Sequence, residues 1–281
     1  MNRKTGTILF SIPIVILLAI LIFSIALANE KAITPVEDFG DLPEGGPLPY
    51  NMTTLANDGA RHFLIPNNIY LGTLDDLELD GWADPSARGD DTNGIADEDG
   101  VVRDPASWGF GTGKVIVTVN GPQDGAGCLM GWLDYFNEAG NTLEPDGIFQ
   151  PSFIYKGNPY SEIIINNQYV TPGIKDFSFT LPPGAASGVF LYARFRIVPY
   201  DGISGYNEQT GTCNQAPVGL KGLAIGGEVE DYGWPFGPNA VTLQGFSAET
   251  ASSSPTIVLI VLVLGIATLT ILWKILSKAQ G

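Results

Sequence analysis

The 281-residue chain carries one histidine, two cysteines, and only 14 lysines and arginines against 30 aspartates and glutamates. Each scarcity excludes something. With His62 alone, a zinc cluster built on several histidines is impossible, and any Ser-His-Asp site would have to use that one residue. No Gly-x-Ser-x-Gly elbow surrounds a serine. In Gly59-Ala60-Arg61-His62 the imidazole reads as packed under a loop and hydrogen-bonded to a carboxylate or the backbone, rather than as a base. Paired carboxylates could serve a glycosidase. Yet acids clustered in glycine-rich turns suit a metal better than a lone acid of raised pKa in a cleft, so no enzymatic activity is expected.

The shortage of positive charge is concentrated in the middle of the chain. Between Asn29 and Ser254 ten basic residues face thirty acidic ones, a net of −20 against −16 for the whole. Such a surface repels nucleic acid and anionic headgroups and attracts cations. No nucleic-acid partner is expected. No tandem repeat is found and Ala-Leu runs and Glu-Lys pairs are scarce, whereas Gly, Pro, Asn and aromatics abound. That is the composition of an all-β protein with many turns. Cys128 and Cys213 are expected to be bridged, since an even pair outside the cell favours a disulfide. Closing a loop of that length is worth up to about 4–5 kcal/mol.

What the chain has in plenty begins at its ends. Residues 1–28 read as a signal peptide: Arg3 and Lys4, an apolar run from Ile8 to Ile25, then Ala26-Leu27-Ala28 as the cleavage pattern. The run is long enough to stay as an uncleaved anchor instead. Residues 256–276 read as a transmembrane helix, with Lys274 and Lys278 placing the tail 277–281 in the cytoplasm. A Ser-rich stalk, 246–255, joins this helix to an ectodomain at 29–245. The expected location is the cell membrane, single-pass, with the ectodomain outside.

The stretch from Leu71 to Gly100 holds ten carboxylates against Arg88 alone, punctuated by Gly81, Gly89, Gly94 and Gly100. Crowded carboxylates repel unless something positive sits among them, and glycine turns let several oxygens aim at one point. Six to eight hard oxygens in flexible geometry are what Ca²⁺ takes. The EF-hand pattern does not fit, because Gly94 falls too early after Asp91 and the bidentate Glu is missing. The expected ligands are Asp90, Asp91, Asn93, Asp97 and Asp99, with Asp76, Glu78 and Asp80 at the same or a neighbouring site. Bound calcium would order the loop and clamp the irregular segment 35–68 onto the remainder, provided Tyr50, Leu55 and His62 dock there.

Regular strands follow. Lys114–Asn120 alternates Val115, Val117 and Val119 on one face; Cys128–Phe136, Ser161–Val170 and Lys175–Leu181 come next. In Val189–Val198, Leu191, Ala193, Phe195 and Ile197 face the core, and Tyr192, Arg194 and Arg196 share the other face. Glu228–Trp234 closes the set. Short strands at this spacing indicate an antiparallel β-sandwich. If the last two long strands pair and Val229 points inward, Arg194 and Arg196 meet Glu228 and Glu230 across the ladder.

One ordered series links these segments. It runs Asp38-Phe39-Gly40-Asp41-Leu42-Pro43, Gly59-Ala60-Arg61-His62, Leu71-Gly72, Glu78-Leu79-Asp80-Gly81 and Gly89-Asp90-Asp91. It continues with Asp97-Glu98-Asp99-Gly100-Val101, Gly131-Trp132-Leu133-Asp134, Ala193-Arg194-Phe195-Arg196 and Gly227-Glu228-Val229-Glu230-Asp231-Tyr232. The series resembles the GEVED domain family of bacterial cell-surface and secreted proteins, over roughly Asp38 to Trp234. Any one motif is weak; nine in order are specific. The resemblance implies a β-sandwich in secreted or wall-associated proteins, often beside adhesin-like modules, and no known enzymatic activity. Two departures stand out. The compact Asp-x-Asn-x-Asp-Gly after the Trp strand is stretched here, with Asp134 and Asn137 far from Asp146-Gly147, and the cysteine pair is a local addition. The expected function is a membrane-anchored structural or adhesion-type surface module, stabilised by calcium, with surface polysaccharide or other surface proteins as partners. The alternative is a carbohydrate-binding module, for which Trp82, Trp108, Trp132 and Trp234 with ten tyrosines offer stacking platforms. Exposure of two or more coplanar rings would favour the alternative, and burial the first.

Overall fold

The structure, a computed structural model, describes residues 37–74, 77–89, 96–108 and 111–236. The segments read as signal, stalk, membrane helix and tail lie outside the described residues. Among those that are described, no helix is long and apolar enough to cross a membrane.

In chain order the strands are β1 Glu37–Phe39, β2 Arg61–Phe63, β3 Tyr70–Leu71, β4 Val101–Arg103, β5 Thr112–Asn120, β6 Gly127–Asp134, β7 Phe153–Tyr155 and β8 Asn158–Tyr160. They continue as β9 Ile163–Val170, β10 Gly173–Thr180, β11 Phe190–Pro199, β12 Tyr206–Asn207, β13 Thr212–Cys213, β14 Leu223–Ile225 and β15 Glu228–Pro235. Among the described residues one 3-10 turn, Leu55–Asn57, interrupts the β structure. The described chain is all-β, built from several antiparallel sheets, with β14 on β2 as a parallel exception.

The largest sheet runs β12-β13-β9-β6-β11-β15. Facing it is the sheet β10-β5-β3, with β4 also on β5. The two share one apolar cluster. Val115, Val117 and Val119 supply one side; Leu129, Leu133, Leu191, Ala193, Phe195 and Ile197 supply the other, with Tyr232 and Trp234. The alternation read in β5 and β11 is the reason, since every second side chain must leave water.

The far face of the large sheet is covered as well. Leu42, Tyr50, Ala87, Met130, Trp132, Phe149 and Tyr192 form a second cluster there. The segment 37–63, which reads as irregular, lies over this face and contributes β1 and β2 to a small sheet with β14. Tyr50 and His62 are buried as expected, whereas Leu55 is exposed. The covering explains why β6, β11 and most of β15 are buried on both faces. Cys128 and Cys213 are bridged, with Cα atoms 6.1 Å apart, tying β6 to β13.

β11 and β15 are adjacent and antiparallel, but the faces of β15 are the reverse of the expected ones. Arg194 stands opposite Asp231 and Arg196 opposite Val229, while Phe195 and Ile197 stand opposite Glu230 and Glu228. Both glutamates therefore share the side of the main core. Their own strand carries the reason. Glu228, Glu230, Tyr232 and Trp234 form one period-2 series, and the two aromatics bury far more apolar area than Val229.

Candidate cation centre

On the far face, Arg194 makes a bidentate pair with Asp231, Nε to Oδ1 at 2.7 Å and Nη2 to Oδ2 at 2.6 Å. Its Nη1 donates to the carbonyls of Met52 and Leu220. Asp231 Oδ2 also accepts the backbone N–H groups of Asp41 and Leu42 at 2.7 and 3.0 Å. Arg196 donates to the carbonyls of Arg61, Gly219, Lys221 and Gly222, and through Nε to His62 Nε2 at 3.0 Å. Burial and the neighbouring Arg194 lower the pKa of Arg196 to about 9. His62 is fully buried, its Nδ1 2.8 Å from the Gly226 carbonyl. Because Arg196 donates to Nε2, the proton sits on Nδ1 and the ring is neutral. Burial, with the charge of Arg196, holds its pKa well below the usual histidine value. The Asp38–Leu42, Gly59–His62, Ala193–Arg196 and Gly227–Tyr232 motifs thus meet at one place.

The acidic stretch approaches from the other side. Asp76, Asp90, Asp91 and Asn93 lie outside the described residues; Glu78, Asp80, Asp97 and Asp99 are described. Glu78 Oε2 accepts the N–H of Phe39 at 3.0 Å. Asp80 Oδ1 accepts those of Leu55 and Gly81 at 2.6 and 2.9 Å. Asp99 holds Thr73 through its N–H, at 2.7 Å, and through its hydroxyl. Each of these three carboxylates therefore pins a backbone N–H. Asp97 is buried.

The turn that ends the stretch closes on β15. Gly100 donates its N–H to Glu230 Oε1 at 2.8 Å, and Val101 donates to the Tyr232 hydroxyl at 2.8 Å. That hydroxyl in turn donates to Glu230 Oε2 at 3.2 Å. Leu71 donates its N–H to Glu228 Oε2, and Val229 donates its own to Asp38 Oδ2 at 2.8 Å. Two glycines permit the approach. A Cβ on Gly100 would stand 2.7 Å from Glu230 Oε1, and one on Gly72 would overlap Asp99 Oδ1.

Glu228 and Glu230 are site members that sequence reasoning does not pick out. They are 0% and 1% exposed, and neither contacts a lysine or arginine among the described residues. Glu228 Oε1 is buried without a hydrogen-bond partner. An acceptor left so costs about 1–3 kcal/mol, more when charged. Burial raises the pKa of Glu228 well above the carboxylate range, and the charges of Glu230, Asp38 and Asp97 raise it further. Burial does the same to Glu230, reinforced by Asp99 and Asp97 and opposed by the donors from Gly100 and Tyr232. Among the described residues no three His, Cys, Asp or Glu side chains stand together as a metal cage.

The stretched second motif has a different fate. Asp134 Oδ2 accepts the Tyr50 hydroxyl at 2.6 Å and the Gly147 N–H at 2.9 Å. Glu162 accepts the N–H groups of Tyr135, Phe136 and Gln150 at 2.6–2.7 Å. Burial pushes the pKa of Asp134 to about 7 and that of Glu162 to about 9, the latter helped by Asp134. Both carboxyls act as backbone clips. Of the tryptophans, Trp132 and Trp234 are buried, Trp108 packs on Phe179, Trp234 and Phe236, and only Trp82 among these is largely exposed, at 58%.

No protein-family model, curated protein or solved structure matches the chain.

Proposed function

We propose that the chain is a membrane-anchored cell-surface module of structural or adhesion type, an antiparallel β-sandwich held in shape by calcium at the junction of its acidic stretch and its last strand. The GEVED-like motif series is the sequence basis of this reading. One observation carries it: the Asp97–Gly100 turn closes on the buried Glu230, and neither Glu230 nor the buried Glu228 beside it pairs with a basic side chain among the described residues. Oxygen-only donors call for a hard cation, and extracellular modules bind calcium weakly, at about 10⁻⁴–10⁻³ M, which suits an exported protein. The disulfide fits an oxidising compartment. The carbohydrate-binding alternative has weaker support, because Trp132 and Trp234 are spent on the interior and the parallel pair Tyr169 and exposed Tyr206 stack face to face on each other rather than side by side.

Surface display is tested by adding protease to intact cells. Cleavage that strips the folded region and leaves a small membrane fragment agrees with the reading. Full protection of the folded region contradicts it.

A further inference from the structure

We propose that Glu228 and Glu230 on the last strand, with Asp97 and Asp38 beside them, are the ligands of a buried calcium ion that fastens the acidic stretch to the sheet. This rests on the calcium reading above and moves the site from the loop's own acids to the strand.

Three observations support it. First, Glu228 and Glu230 project from alternate positions of β15 to one side, so their carboxyls lie one strand repeat apart in a rigid, doubly buried strand. Second, Glu228 Oε1 is fully buried and accepts no hydrogen bond, while its Oε2 is held by the Leu71 N–H. A carboxylate fixed through one oxygen, with the other buried and unpartnered among the described residues, matches a metal ligand oriented by an outer hydrogen bond. Glu230 is oriented likewise by Gly100 and Tyr232. Third, the charge of Asp97 bears on both glutamates and that of Asp38 on Glu228, while Asp38, held by the Val229 N–H, also bears on Arg196; among the described residues neither glutamate pairs with a lysine or arginine. As they stand, the four do not form a metal cage among the described residues. A calcium ion tolerates irregular oxygen geometry and supplies the attraction that would close them.

A zinc ion is disfavoured, because no cysteine or histidine points to the place; Cys128 and Cys213 are bridged and His62 is committed to Gly226 and Arg196. Neutralisation by protons alone is the rival, and it has a distinct signature.

The test uses the purified full-length chain in detergent, stripped with chelator. Calcium chloride is titrated while thermal unfolding is followed, and terbium chloride while luminescence sensitised by Tyr232 is followed. Four proteins are compared: the unaltered chain, Glu228→Gln, Glu230→Gln and Asp97→Asn. Glutamine keeps the acceptor for the Leu71 or Gly100 N–H and removes the charge. The glutamine variants are therefore expected to unfold, without metal, at or above the temperature of the unaltered chain. Each variant is expected to bind calcium at least about 10–100-fold more weakly and to lose most of the terbium signal, since loss of even an outer-shell partner costs that much. Asp97 lies on a turn, so Asp97→Asn remains informative if a strand variant does not fold. If the unaltered chain responds to calcium and all foldable variants respond equally, the ligand assignment is wrong and the calcium reading stands. If the unaltered chain ignores both metals, while the glutamine variants are simply more stable, protons occupy the pair and both readings fall.

Discussion

At the scale of single residues, the buried cations decide the far face of the sheet. Arg194 is neutralised by Asp231 and donates four hydrogen bonds. Breaking such a pair strands a charge in the interior, which costs about 3–5 kcal/mol. Arg194→Ala is therefore expected to lose that much in urea unfolding, with Asp231→Asn also destabilising because Asp41 and Leu42 donate to the same oxygen. A loss under about 1 kcal/mol would mean that the pair behaves as an exposed one. His62 gives a pH dependence. The unfolded chain protonates this residue as pH falls through about 6.5, whereas the folded chain, which buries the ring beside Arg196, resists the proton. Its contribution is whole above that pH and is lost below it, at up to about 1.4 kcal/mol per pH unit, until the depressed folded pKa is reached. Comparing the unaltered chain with His62→Gln cancels the other titrating groups. The stability difference should be flat above about pH 7 and should shrink as pH falls below 6.5.

At the scale of elements, long strands are legible in the sequence and short ones are not. β5, β10 and β11 show period-2 alternation over eight to ten residues, enough to locate each strand to within a few residues and to show which side chains share a face, whereas β9, Ile163-Ile164-Ile165-Asn166-Asn167, is located without a clear period. β1, β2, β4 and β14 have three residues each and β3 has two, too few to display a period; they exist because neighbours offer hydrogen bonds. β15 is legible as a strand, but its faces are the reverse of those its charges suggest. Charge alone would turn the glutamates outward, and the aromatic series Tyr232, Trp234 overrides that preference. The acidic stretch is legible as a site in outline. The backbone N–H groups that engage Glu78, Asp80 and Asp99 are not, since nothing local shows which remote segment will lie beside an acid. The glycines of this junction give a further expectation. Gly100→Ala places a methyl against Glu230 Oε1 and the Gly72 N–H. Calorimetry should find it destabilised by roughly 1–3 kcal/mol, the usual cost of overpacking. An unchanged melting temperature would show that the turn has room to withdraw.

At the scale of the whole molecule, the large sheet is the structural centre, with the β5 sheet on one face and the segment 37–63 on the other. The polar side chains Arg194 and Arg196 make the far face of β11 read as solvent-facing although it is buried, which is why the second covering layer has no signature beyond scattered Tyr50, His62 and the glycine-bounded motifs. The motifs of the acidic stretch, the N-terminal layer and the last strand converge on a junction rich in negative charge. Calcium holding that junction is the central claim. Its direct test is thermal unfolding of the full-length chain in detergent, with calcium at about 100 times Kd against chelator, at ionic strength matched with Na⁺. Binding to the folded state alone adds roughly 2.7 kcal/mol, a rise of about 5–10 °C for a domain of this size. Superimposable curves in calcium and in Na⁺ with chelator would contradict the account.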